Sequence, residues 1–165
     1  FGFYFLESRA TAYAKHPDDP AWLFDPDTMR PRIDNPAFVR AIQDVLDREP
    51  GFPAMPTILF HGESDGVVRP INQVHLDQQA LLLNRVPIGT PVDISTRERT
   101  SRTLAYRLRD VRVQRKLLLR VVQISDLKHA WSGGDDSLAF NSGPGPASSK
   151  LLPDFFSRHS RAGSV

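Results

Sequence analysis

The sequence predicts an α/β fold, in which a sheet of buried strands is flanked by helices. Two segments support this prediction, 56–68 and 124–134, because each begins with a short apolar run and ends in a loop with an ionisable residue. Short apolar runs bounded by proline or glycine favour strands over helices. Ligands of open α/β sheets bind at the loops that follow the carboxyl ends of strands. The candidate functional residues are therefore Asp65 on the first loop and His129 on the second.

A short helical segment is predicted in the N-terminal part of the chain. Residues 3–15 carry apolar side chains at helical spacing, and the prolines that follow exclude a long helix because each lacks an amide donor. Asn35 followed by Pro36 predicts a second helix start, with the asparagine as its cap. That helix should end near Pro50, where we place a domain boundary. The chain then divides into three parts, which are 1–50, 51–160 and a tail over 161–165.

The second part begins with a strand and a helix. A strand is predicted over 56–61, and a helix over 72–84, for which Asn72 would be the cap. Residues 87–100 have the composition of turns. Because this order places a helix after a strand, it is typical of α/β proteins.

The remaining elements are a strand pair and a last helix. Strands are predicted over 102–109 and 117–124, and the second of them leads into the His129 loop. A final helix is predicted over 150–159. Pro153 is a defect in that helix unless the helix begins there, because proline cannot donate a backbone hydrogen bond.

Composition excludes several kinds of site. The 165-residue chain contains no cysteine, which removes disulfides, thiolate chemistry and cysteine-based zinc sites. The spacing of His61, Asp65, His75 and Asp77 matches no recognised metal motif, so we expect no metal and no cofactor.

No apolar run is long enough to span a bilayer. The aromatic start at Phe1 lacks an initiator methionine, a basic leader and a cleavage site, so we expect the chain to begin within a longer protein.

Basic residues are concentrated between Arg97 and Arg120, which could indicate a nucleic-acid surface. However, the formal net charge of +2 provides no strong overall attraction for nucleic acid. The basic side chains also alternate with apolar ones at strand spacing. We therefore favour the interpretation that they form the solvated face of a hairpin, and we expect no nucleic-acid partner.

Three motifs occur in a specific order in the second part. They are His61-Gly62-Glu63-Ser64-Asp65-Gly66-Val67-Val68-Arg69-Pro70-Ile71-Asn72, His129-Ala130-Trp131-Ser132-Gly133-Gly134 and Gly143-Pro144-Gly145-Pro146-Ala147-Ser148. Residues 53–160 resemble the C-terminal part of the polyhydroxybutyrate depolymerase family of esterases. The resemblance implies the C-terminal portion of an α/β-hydrolase sheet with flanking helices, preceded here by a short helical segment.

The resemblance also implies roles and partners. Asp65 would be the triad acid and His129 the triad base, while Trp131, Gly133 and Gly134 would contact the ester. The implied partners are a small or polymeric ester and possibly the missing N-terminal half of the hydrolase. The implied source is bacterial, with a secreted or periplasmic location. Residues 23–42 resemble instead a segment of the extracellular solute-binding proteins of ABC transporters, in which an aspartate-rich turn leads into a helix that opens with Pro36-Ala37-Phe38-Val39.

The nucleophile is the missing member of this triad. Gly62-Glu63-Ser64-Asp65-Gly66 matches the elbow pattern Gly-x-Ser-x-Gly, but an elbow must run directly into a helix, and Val67-Val68-Arg69-Pro70 is a poor helix start. Ser8 is the only serine in residues 1–55, and it has no flanking glycines. We therefore expect an esterase fragment that has the triad acid and base but lacks the serine.

Two alternatives remain open at this point. The chain could be a solute-binding module, which predicts a cleft lined by Trp22, Asp25 and Asp27, or a fused or artificial chain without function, which predicts neither site. The esterase interpretation predicts that Asp65 and His129 are adjacent. We also expect residues 1–50 to pack poorly against the remainder, with an exposed join near Pro50, because they resemble a protein whose other parts are absent.

Overall fold

The computed structural model describes residues 36–87 and 89–159, with side chains described from residue 41 onward. The predicted helix over 3–15 lies outside these residues, as do Trp22, Asp25 and Asp27. The elements in chain order are α1 (Pro36–Arg48), β1 (Thr57–Gly62), α2 (Pro70–Leu83), β2 (Val92–Arg97), β3 (Tyr106–Val113), β4 (Lys116–Ile124), β5 (Trp131–Ser132), β6 (Asn141–Ser142) and α3 (Ser148–Phe156).

A mixed sheet of four strands forms the centre of the described structure, in the order β1-β4-β3-β2. β1 runs parallel to β4, while β4 and β3, and β3 and β2, are antiparallel. The hairpin between β3 and β4 turns at Gln114 and Arg115, which both have positive φ, as a two-residue type I′ turn requires. Helices and a mixed sheet together give an α/β fold in general terms, as predicted.

Side chains alternate between two apolar layers on the faces of the sheet. On one face, Ala80 and Leu81 of α2 pack on a layer that includes Leu119 and Val121 of β4. On the other face, Val122 and Ile124 of β4 form a cluster with α3 and with the loop after β4, whose members include Leu104, Leu127, Phe60, Ala130 and Leu151. Covered on both faces, β4 is a nearly continuous apolar strand, which is the pattern expected of a buried strand with a parallel neighbour.

The structure differs from the predicted elements at several places. β3 begins at Tyr106, so residues 102–105 of the strand predicted over 102–109 lie outside it. β2 occupies part of the 87–100 region that was expected to be turns; it is an edge strand with mostly exposed side chains, and its apolar alternation is limited to Val92 and Ile94. α2 begins at Pro70, and Asn72 does not cap it, because proline already fits the first helical position. α3 begins at Ser148, so Pro153 lies inside the helix and cannot donate a backbone hydrogen bond there.

α1 packs on α2 rather than on β1. Ile42 and Leu46 are buried and contact Phe52, Leu82 and Leu83. For this helix, the expectation of poor packing was wrong, because its apolar face finds a matched surface at the end of α2. Pro50 is exposed, as expected for the join.

Two of the basic residues that were expected on a solvated face are buried in ion pairs. Arg109 of β3 pairs with Asp77 of α2, and both are almost fully buried. On the opposite face, Arg120 donates two hydrogen bonds of 2.7 Å to Asp110, the residue directly across from it on β3. The alternation of charged and apolar residues therefore does not distinguish exposed from buried side chains in these strands. Arginines that have carboxylate partners can be buried.

The Arg120–Asp110 pair provides a test of this arrangement. We expect Asp110→Leu to lower the free energy of unfolding by about 3 kcal/mol, because a buried guanidinium loses its main partner. The double variant Asp110→Leu/Arg120→Met should be more stable than the single variant. Urea denaturation measures both.

The matched control is Asp126→Asn, which removes the exposed partner of Arg99. It should change the stability by less than about 0.5 kcal/mol, as is usual for surface substitutions. Equal effects of Asp110→Leu and Asp126→Asn would contradict a buried role for the Asp110 pair.

Candidate functional site

The parallel pairing of β1 and β4 brings the two candidate loops together. The register runs from Thr57 opposite Leu119 to Gly62 opposite Ile124, so both strands end at the same edge of the sheet. The loop after β1 carries Asp65, and the loop after β4 carries His129. Residues that are 64 positions apart in sequence thereby become neighbours.

Hydrogen bonds join the two loops directly. The amide of Glu63 donates to the Ile124 carbonyl over 2.9 Å, and the amide of Ser64 donates to the Leu127 carbonyl over 3.0 Å. Gly62 is required at this crossing, because a Cβ there would collide with the Leu127 carbonyl. The loop geometry is thus determined by backbone contacts next to the sheet.

Asp65 accepts hydrogen bonds with both carboxylate oxygens. Its Oδ1 accepts from the amides of Val67 and Val68, each at 2.9 Å, and its Oδ2 lies 3.0 Å from Nδ1 of His129. Burial alone would raise the pKa of Asp65, but the hydrogen bonds from His129, Val68 and Val67 outweigh burial and hold that pKa below its ordinary value. Asp65 is therefore a charged acceptor at neutral pH.

His129 is oriented by this contact. Its Nδ1 faces Asp65, whose side chain is only 9% exposed, while the imidazole itself is 44% exposed. The ring of Phe140 meets the imidazole edge to face, with the ring centres 6.0 Å apart. Among the described residues, no hydrogen bond occupies Nε2 of His129. The predicted adjacency of Asp65 and His129 is confirmed, and the imidazole has one nitrogen free for a further partner.

A cavity of about 450 Å³ lies beside this pair. Its walls include Asp65 and His129 together with the apolar side chains of Ile58, Phe60 and Trp131. Trp131 packs near Phe60, at a ring-centre distance of 6.3 Å, and its indole donates to the Ser149 hydroxyl over 3.2 Å. The volume lies in the range of about 300–1,000 Å³ that is usual for small-molecule pockets.

Most residues of the cavity wall were not predicted as site residues, and three of them carry side chains placed close to the candidate pair or buried in the wall: Phe140, His61 and Ser148. Phe140 has a φ of 58°, which is uncommon for a bulky residue and brings its ring beside His129. His61 is a buried residue one position before the end of β1, and Ser148 begins α3 with only 1% of its surface exposed. The third sequence motif contained Ser148 but gave no signal for its burial, whereas His61 could have been suspected because it lies next to the Asp65 loop.

The other predicted site residues have different placements. Gly133 and Gly134 do not line the cavity; Gly133 lies against the backbone of Ala147, and Gly134 against the side chain of Asn141. Their contact with an ester stays a prediction. Ser64 lies in a turn, and α2 begins only at Pro70, so Ser64 does not lie on a strand-to-helix elbow.

Two general features complete the description of the site. Within 36–87 and 89–159, no group of three or more histidine, aspartate or glutamate side chains could hold a metal ion. Each helix in that part of the chain is too short or too polar to cross a membrane.

No protein-family model and no curated protein matches this chain. Assignment of the site therefore depends on its geometry and on the sequence motifs.

The loop contacts of Asp65 provide a stability test. Asp65→Ala should lower the free energy of unfolding by about 1 kcal/mol, because the amides of Val67 and Val68 lose their acceptor. Asp65→Asn should retain most of that stability, since an amide oxygen can still accept from both amides. Thermal denaturation of the two variants would contradict this account if they were equally unstable.

Burial of His61 predicts a pH dependence. Burial lowers the pKa of His61 below its ordinary value of 6.5, and the charges of Asp65 and Glu63 oppose this only in part. As the pH falls through 6.5, the unfolded chain binds a proton that folded His61 takes up only at lower pH, so stability falls. His61→Asn should therefore show a weaker loss of stability between neutral and acidic pH.

Urea denaturation over this pH range provides the measurement. His159, whose pKa burial also lowers, remains in both proteins and contributes equally to both profiles. Profiles of wild type and variant that ran parallel would contradict the burial of a neutral His61.

Proposed function

We propose that this chain provides the acid and the base of a serine ester hydrolase of the polyhydroxybutyrate depolymerase type. The observation that carries the proposal is the 3.0 Å contact between Oδ2 of Asp65 and Nδ1 of His129 at the edge of a cavity. The alternative interpretation, a fused or artificial chain without function, does not predict that Asp65 and His129 are adjacent. The cleft of the alternative solute-binding module lies outside the described residues, so no observation favours that candidate.

In the proposed mechanism each nitrogen of His129 has a role. Asp65 holds Nδ1–H and so fixes the tautomer in which Nε2 is a base. Nε2 would take the proton from an attacking hydroxyl group, and the resulting imidazolium would be stabilised by the Asp65 charge. The same nitrogen would then return the proton to the departing alcohol. Imidazole suits both steps because it exchanges a proton near neutral pH.

The nucleophile of the proposed reaction would have to come from another chain. The covalent step requires a serine beside Nε2 and two amide donors for the oxyanion, on a strained turn after a strand. Ser64 does not meet this description, because the amide of Ser64 is bound to Leu127 and the helix begins six residues later. A partner carrying the nucleophile, such as an N-terminal hydrolase portion, would complete the site.

The first test addresses the chain alone. We expect ester hydrolysis at background level, because loss of the nucleophile in a serine protease costs on the order of a million-fold in turnover. Ser64→Ala should change nothing. Labelling of Ser64 by a fluorophosphonate, together with loss of hydrolysis in Ser64→Ala, would make Ser64 the nucleophile and overturn this part of the proposal.

The second test supplies the missing part. The chain is produced together with the N-terminal portion of a polyhydroxybutyrate depolymerase, and hydrolysis of a p-nitrophenyl ester is measured. We expect activity that His129→Gln lowers by at least about a thousandfold, because loss of the triad base in a serine protease costs on the order of a million-fold in turnover. The control His159→Gln alters a histidine beside Phe155, away from the cavity, and should retain activity. Equal activity of both variants would exclude His129 as the base.

A further inference from the structure

The amino end of α3 faces the cavity with an unusual arrangement of donors. Ser148 is the first residue of this nine-residue helix, and it lines the cavity. Ala147 occupies the capping position and offers no side-chain cap. Within the described part of the chain, no acceptor binds the amides of Ser148 or Ser149. The first amides of a helix need external partners, and together they carry a partial positive charge.

The hydroxyl of Ser148 is a second, independent observation at the same place. The residue is 1% exposed, and its Oγ has no hydrogen-bond partner among the described residues. Buried hydroxyl groups are nearly always paired, and leaving one unpaired costs about 1–3 kcal/mol. The neighbouring Ser132, by contrast, donates to the Pro146 carbonyl over 2.8 Å. Ser148 is thus a buried polar group with no partner at the amino end of an uncapped helix.

The surroundings restrict the ligand that could pair with Ser148. The cavity is also lined by the apolar side chains of Ile58, Phe60 and Trp131, and Lys128 adds a positive charge to its lining. Asp65 also lines the cavity and opposes an anion, but both of its oxygens already accept hydrogen bonds from the protein. A ligand that matches these features has an apolar body and a terminal group that accepts several hydrogen bonds.

We propose that this cavity binds small apolar carboxylates, with the carboxylate on the Ser148 hydroxyl and the first amides of α3, and the alkyl chain against Phe60 and Trp131. A helix amino end is suited to an anion because its free amides point at the ligand. Binding requires neither a nucleophile nor turnover. The inference therefore does not depend on the proposed hydrolase function, and each can fail without the other.

The test is a titration of the whole chain with pentanoate, 1-pentanol and pentylammonium, followed by the ¹H–¹⁵N spectra of the Ser148 and Ser149 amides. We expect saturable shifts with pentanoate, and an affinity for 1-pentanol that is lower by about tenfold or more. Pentylammonium should not bind measurably. Equal affinity for pentanoate and 1-pentanol would show an apolar cavity only and would overturn the proposal, as would the absence of saturable pentanoate binding.

Variants then locate the carboxylate. Ser148→Ala should weaken pentanoate binding by about tenfold, as expected for loss of one hydrogen bond to a charged group. The control Ser157→Ala removes a hydroxyl at the other end of α3, where it donates to the Asp154 carbonyl. This control should bind as the wild type does. Unchanged pentanoate binding in Ser148→Ala would contradict the assignment, and comparison of the ligands in the wild-type protein tests the proposal independently of any variant.

Discussion

The parallel pairing of β1 with β4 is the constraint on which the site depends. Its register places Gly62 opposite Ile124, so the two strands end side by side at the same edge of the sheet. Only then can the Glu63 and Ser64 amides reach the carbonyls of the second loop. A shift of one residue would turn every side chain of β1 to the other face of the sheet and would separate the loops. The Asp65–His129 contact therefore follows from strand pairing and does not depend on loop conformation alone.

The pairing is held by burial on both faces of β4. α2 covers one face through Ala80 and Leu81, and the layer that includes Phe60 and Leu127 covers the other. One buried arginine–aspartate pair lies on each face: Arg109–Asp77 joins β3 to α2, and Arg120–Asp110 joins β4 to β3. Such pairs contribute less to stability than apolar packing of the same volume, but removing one partner of a buried pair lowers the stability strongly. They therefore favour one register of the sheet over alternatives that would leave a charge unpaired.

The sequence predicted those elements in which local chemistry and burial agree. β1, the strand pair and the helix starting at Pro36 were found because apolar runs and the proline at the first helical position act locally. β2 was missed because an exposed edge strand needs no apolar alternation. The adjacency of Asp65 and His129 followed from the order of loops in an α/β sheet. The cavity wall at Phe140 and Ser148 could not be predicted, because it forms only when α3 packs against β1 and the β5–β6 loop places Phe140 beside His129.

The tautomer of His129 tests the central claim most directly. If Asp65 holds Nδ1–H, long-range ¹H–¹⁵N correlation spectra of the neutral imidazole will show the proton on Nδ1 in the wild-type chain. In Asp65→Ala the proton should move largely to Nε2, the position that free imidazole side chains prefer. This result would establish the acid–base pair in solution without any need for turnover. A wild-type His129 that carried its proton on Nε2 would contradict the account, because that nitrogen would then be a donor and not a base.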